Sequence, residues 1–212
     1  MELMNERPPE NSVLINVCVI PESKIGETCV ELSQSLKSDS TLFVLDGENK
    51  YAHMTLFMAR FALDKLDEVQ TIVEKILKNT KSFMCDHSGY FMTSGGYLEV
   101  SYQKSDDLMN LHEAVIDGLQ ELRINPGNPH QESYFAPYAA EQKRNAQETG
   151  YDLARDLYRP HITLTRYKEG MIPESVPDFA PLKLSFEATQ VCVYKADENG
   201  AVYELIKSFT IA

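Results

Sequence analysis

Two short stretches carry residues that can move protons. "YAHMTLFMA" (Tyr51 to Ala59) and "RPHITLTRY" (Arg159 to Tyr167) each place a histidine two positions before a threonine and follow the threonine with leucine. Residues i and i+2 of a strand face the same way, so His53 pairs with Thr55 and His161 with Thr163. Strict alternation adds Tyr51 and Phe57 to the first face and Thr165 to the second, while Met54, Leu56, Ile162 and Leu164 anchor the strands from the other side. An imidazole with an ordinary pKa near 6.5 takes or gives a proton at neutral pH. Two of them across a cleft suit in-line displacement at phosphorus, one accepting a proton from the attacking oxygen and the other donating to the leaving oxygen. The hydroxyls donate to the non-bridging phosphate oxygens. Such a site needs no metal, and no carboxylate-rich cluster accompanies the histidines in sequence. His87, His112 and His130 lack the pattern and have no zinc-ligand spacing; His112 falls on a helix at what reads as a solvated position.

The elements around the motifs follow from periodicity. "VLINVCVI" (Val13 to Ile20) reads as a buried strand, and Ile25, Val30, Leu32 and Leu36 fit a helix over 23–37. "TLFVL" is a strand closed by the turn "DGEN". Leu66, Val69, Ile72, Val73, Ile76 and Leu77 form a helical stripe with Asp64 as candidate cap, and Ser105 opens a second striped helix through Leu108, Leu111, Val115, Leu119 and Leu122. Between those helices, two β-rich runs around "TSGG" read as a hairpin. Residues 125–158 break the pattern. They hold loop chemistry and a short polar helix ending at Gly150, and a connection this long is a lid or binding insertion, or else disordered. Two strands, Leu184 to Tyr194 and Val202 to Ile211, close the chain through "ADENG". The expected fold is α+β, a single domain over 1–212 with mostly antiparallel sheets and helices outside. It has two lobes, each giving one motif strand to a shared cleft.

Composition narrows the partners. Of 212 residues, 43% are hydrophobic and 25% charged, enough for a sizeable core. The formal charge of −12 repels long nucleic acid but allows a small anionic ligand held by a few convergent groups. Cys18, Cys29, Cys85 and Cys192 are scattered, without CxxC spacing; Cys18, Cys85 and Cys192 lie in apolar strand-like runs and read as reduced core thiols of a cytoplasmic protein, with a disulfide pair as the alternative. The first residues lack the apolar run of a signal peptide, and no stretch approaches the roughly 18 apolar residues of a membrane span.

"HMTL" and "HITL" resemble the paired His-x-Thr/Ser motifs of the 2H phosphoesterase superfamily, which includes the RNA 2′,3′-cyclic phosphodiesterases historically called 2′-5′ RNA ligases. The resemblance extends to chain length, motif spacing and element order. It implies a bilobal α+β fold with a pseudo-twofold axis through the cleft, and metal-independent hydrolysis of 2′,3′-cyclic phosphates or 2′-5′ linkages. By motif match His53, Thr55, His161 and Thr163 are the catalytic positions, with no cofactor. Arg166 resembles a basic residue that holds phosphate in RNA-end members. Strict alternation turns it away from His161, so that role needs a bulge or a strand end. Tyr51 and Tyr158 are further substrate-binding candidates, and Tyr102, Tyr134, Phe135 and Tyr138 could also stack on a base. The implied partner is a nucleotide or short oligonucleotide, met by a monomer. The alternative is a nucleotide-binding module that keeps the cleft without turnover.

Overall fold

The computed structural model describes residues 10–124, 139–179 and 182–211. The elements are β1 (Ser12–Val19), α1 (Ser23–Ser35), β2 (Thr41–Val44), β3 (Met54–Ala62), α2 (Leu66–Leu77), β4 (Phe83–Cys85), β5 (His87–Met92), β6 (Tyr97–Tyr102), α3 (Asp106–Leu119), α4 (Ala140–Thr149), β7 (His161–Tyr167), β8 (Phe186–Ala188), β9 (Gln190–Ala196) and β10 (Val202–Thr210). The α+β expectation holds. Residues 125–138, with the first part of the expected insertion and Tyr134, Phe135 and Tyr138, lie outside the described residues.

Local chemistry explains most boundaries. Ser105 caps α3, its hydroxyl accepting from the Leu108 N–H at 3.3 Å. Gly150 ends α4 at φ 85°, the left-handed conformation that glycine adopts without a Cβ clash. Asp64 does not cap α2; it lies in a short 3-10 turn, Leu63–Lys65, that leads into the helix. The α2 and α3 stripes meet at Gly118, where an added Cβ would lie 2.8 Å from Ile72. Two expected strands are each divided. At Asp86 and at Thr189 the chain leaves one sheet for another, so that β4 and β8 form their own two-stranded sheet.

The main sheet runs β10-β9-β1-β3-β7-β6-β5, with β2 paired to β7. Its two halves are built alike. In the first, β1 leads through α1 to β2, and β3 pairs antiparallel with β1. In the second, β6 leads through α3 to a short segment that bridges Phe61 to Arg123, and β7 pairs antiparallel with β6. The helices cross over: α1 packs against β7, and α3 packs against β3. The halves join where β3 and β7 touch, through the single register pair Met54↔Ile162. That pair brings the two His-x-Thr motifs side by side.

Both motif strands carry the same irregularity. Along β1–β3 the register passes from Cys18↔Thr55 to Val17↔Phe57, leaving Leu56 as an extra residue. Along β6–β7 it passes from Glu99↔Thr163 to Leu98↔Thr165, leaving Leu164 extra. A bulge drops a residue out of the ladder and re-aims the side chains beyond it. The freed carbonyls are satisfied from the helices of the opposite half. His112 Nδ1 meets the Leu56 carbonyl at 2.6 Å, and the Ser33 hydroxyl donates to the Leu164 carbonyl at 2.5 Å. His112 is therefore not a solvated helix residue. It is fully buried, stacks on Tyr158 with ring centroids 3.8 Å apart, and accepts the Arg155 N–H at Nε2.

Candidate active site

The bulges decide which side chains reach the cleft. Alternation places His53 and Thr55 there, and the extra Leu56 makes Met58 the next one out. In β7 the same shift follows His161 and Thr163 with Arg166. Phe57 and Thr165, which strict alternation put on the cleft face, turn inward: Phe57 is 1% exposed, and the Thr165 hydroxyl donates to the Phe43 carbonyl. These motif residues line one cleft of about 470 Å³, the size of a nucleotide site.

Both imidazoles are held alike. His53 Nδ1 lies 2.9 Å from the Tyr51 carbonyl, and His161 Nδ1 lies 2.6 Å from the Arg159 carbonyl. A carbonyl can only accept, so each Nδ1 carries the proton and Nε2 is the ring nitrogen left for other partners; the Gly200 carbonyl also lies against the His53 ring. Asn16 Nδ2 donates to Thr55 Oγ1 at 2.9 Å, leaving the threonine proton free to donate onward. The Tyr158 hydroxyl donates to the Thr55 carbonyl at 3.0 Å.

The two histidines have different surroundings. Burial holds His53 down at about 4, against opposing help from the Tyr51 carbonyl, so it is neutral at physiological pH. His161 faces a carboxylate: Glu99 Oε1 lies 3.6 Å from His161 Nε2. Glu99 is 2% exposed, and the Arg159 guanidinium donates to its Oε1 at 3.0 Å. The Arg159 guanidinium carbon in turn sits 4.8 Å from the Phe91 ring centroid. Further along the same wall, burial pushes Asp152 up to about 6, opposed by a hydrogen bond from Gln142. α4 and the turn after it supply this wall through Gln142, Tyr151, Asp152, Leu153 and Leu157.

The sequence-selected binding residues divide. Arg166 lines the cleft, turned toward it by the bulge. Its Nε donates to the Gly95 carbonyl at 3.2 Å, Nη1 donates to Asn199 Oδ1 at 3.3 Å, and its guanidinium lies 4.6 Å from the Tyr97 centroid. Tyr51 is not on the cleft lining. β3 starts at Met54, so alternation does not extend back to Tyr51, whose ring packs on Tyr194 at 5.6 Å and whose hydroxyl donates to the Glu48 carbonyl. Tyr158 is 1% exposed, supports β3 from within and is not on the cleft lining. Tyr102 is buried edge-on to Phe186. Sequence reasoning missed Glu99, Arg159, Phe91 and Asn199. Glu99 and Phe91 sit in alternating strands whose register to β7 no local pattern reveals; only the adjacency of Arg159 to "PHITL" was a usable signal.

The four cysteines are buried free thiols. No helix among the described residues is long and apolar enough to cross a membrane. No curated protein matches the chain. Among solved structures, E. coli LigT in apo form superposes with a TM-score of 0.62 at 13% identity, covering 95% of this chain and 98% of that one. E. coli LigT complexed with 3′-AMP gives 0.62 at 13% identity, with coverage of 95% and 99%. TT0787 of Thermus thermophilus gives 0.54 at 14% identity, with coverage of 93% and 97%. At such identities the likeness is one of fold. A family model described as the 2′-5′ RNA ligase superfamily matches residues 35–200, a span that holds both His-x-Thr strands, and the chain belongs to that superfamily of 2H phosphoesterases.

Proposed function

We propose that this chain is a metal-independent phosphodiesterase that hydrolyses 2′,3′-cyclic phosphates or 2′-5′ linkages of nucleotides or short oligonucleotides. The observation that carries this reading is the pair of imidazoles lining one cleft, each fixed through Nδ1 on the carbonyl two residues before it. His53, neutral through burial, takes a proton from the attacking water at Nε2 as its oxygen bonds to phosphorus. The bond from phosphorus to the ribose oxygen breaks, and that oxygen receives the proton from His161 Nε2, leaving a phosphomonoester. Glu99 gives the imidazolium that donates this proton a counter-charge 3.6 Å away. Thr55, Thr163 and Arg166 donate to the non-bridging oxygens, where charge builds in the transition state.

The size of the cleft supports a single nucleotide or the end of a short chain, and the charge of −12 disfavours long RNA. The 3′-AMP, ATP and NADP+ complexes of E. coli LigT support the same ligand class. The buried free thiols suit a cytoplasmic protein.

The test follows 2′,3′-cyclic AMP and 2′-5′-linked diadenylate by anion-exchange chromatography in excess EDTA. Turnover by the wild type, reduced at least about 10²-fold by His53→Ala and by His161→Ala, is expected. Calorimetric binding of either compound with no product would instead assign a binding module.

A further inference from the structure

The stacking role expected of Tyr51 has no place in the first lobe, where Tyr51 and Tyr194 close on each other. The second lobe differs. Among the described residues, Phe91 is the one large apolar side chain that is exposed, at 44%, and also lines the cleft. It stands in a cross-strand row, since Phe91 pairs with Glu99 and Glu99 pairs with Thr163. Directly opposed residues of an antiparallel sheet share a face, so all three look into the cleft. Two strand spacings of roughly 4.8 Å separate Phe91 from Thr163, about 10 Å in all. That is close to the reach from a nucleotide's phosphate to the far side of its base. The ring is also fixed in advance. Arg159 covers it with a guanidinium 4.8 Å from the centroid, and Glu99 anchors that guanidinium at 3.0 Å. A platform already ordered loses less entropy when a ligand settles on it.

We infer that Phe91, braced by Arg159, is a stacking subsite for the nucleobase of the nucleotide whose phosphate lies between His53 and His161. The subsite rests on the proposed phosphodiesterase reading for the position of the phosphate. It adds that recognition comes from the second lobe, through a π-face that accepts any base and favours a large one, rather than through hydrogen bonds that select one.

Calorimetry with 3′-AMP and with inorganic phosphate tests this on the wild type, Phe91→Ala and Phe91→Trp, with hydrolysis of 2′,3′-cyclic AMP and 2′-5′-linked diadenylate by the wild type followed in parallel. Base–aromatic stacking predicts that Phe91→Ala weakens 3′-AMP binding by about 5- to 150-fold. Phosphate affinity stays within about twofold of wild type, and Phe91→Trp retains nucleotide affinity, since any aromatic face stacks. Unchanged 3′-AMP affinity in Phe91→Ala overturns the subsite. So does an equal loss of 3′-AMP and phosphate affinity, or a wild type that binds 3′-AMP no more tightly than phosphate. Phe91-dependent binding with hydrolysis of neither the cyclic nucleotide nor 2′-5′-linked diadenylate overturns the catalytic reading and leaves the subsite standing.

Discussion

His112 should make this fold acid-labile, and the size of the effect follows from its hydrogen bonds. Nδ1 donates to the Leu56 carbonyl, and Nε2 accepts the Arg155 N–H at 2.8 Å. A second proton would sit on Nε2 facing that N–H, inside a site with no solvent access. Burial accordingly holds the group at about 4. In the unfolded chain its value returns to about 6.5. The unfolded state then binds more protons between those values, so stability is full above pH 6.5 and falls as pH drops toward 4. The gap between about 6.5 and about 4 is worth about 3 kcal/mol. The perturbation is His112→Leu, which removes the titration but leaves the Leu56 carbonyl and Arg155 N–H without partners, a loss of about 2–4 kcal/mol at pH 7. Urea unfolding at pH 7, 5.5 and 4 should show the variant well below wild type at neutral pH and nearly level with it at pH 4. His53 titrates in both proteins and cancels in the comparison. A deficit of equal size at pH 7 and pH 4 would refute the account of His112.

Two further predictions concern Tyr158, a support of the site, and Arg166, a donor within it. Tyr158→Phe deletes the hydroxyl that donates to the Thr55 carbonyl; a thermal melt should show a loss of about 1–2 kcal/mol, or roughly 2–4 °C for each kcal/mol at this chain length. Arg166→Lys keeps the charge but cannot reproduce the fork between the Gly95 carbonyl and Asn199. Initial rates should fall by about 10²-fold, the scale of one lost transition-state donor, and wild-type rates would make Arg166 a purely structural cation.

The motif pairs were readable because their chemistry is local: a histidine and a threonine two apart need only a strand to share a face. The α2 and α3 stripes were readable for the same reason. What could not be read was register. Nothing in "HMTLFM" or "HITLTR" announces that Leu56 and Leu164 drop out of their ladders, yet those bulges decide that Phe57 and Thr165 turn inward and Arg166 outward. Glu99 and Phe91 depend on how β5 and β6 align with β7, which is a long-range property. His112 looked solvated because a helix pattern shows which face is apolar but not that one polar group on it answers a bulge carbonyl from another lobe.

The division of labour between the histidines is tested most directly by changing the leaving group. A nitrophenyl phosphodiester expels a phenolate that needs no proton, whereas a ribose oxygen does. With kcat/KM measured for both esters, His161→Ala should lose most of its defect on the nitrophenyl ester, while His53→Ala stays impaired on both. Equal defects for both variants on both esters would contradict the assignment of His53 as base and His161 as acid.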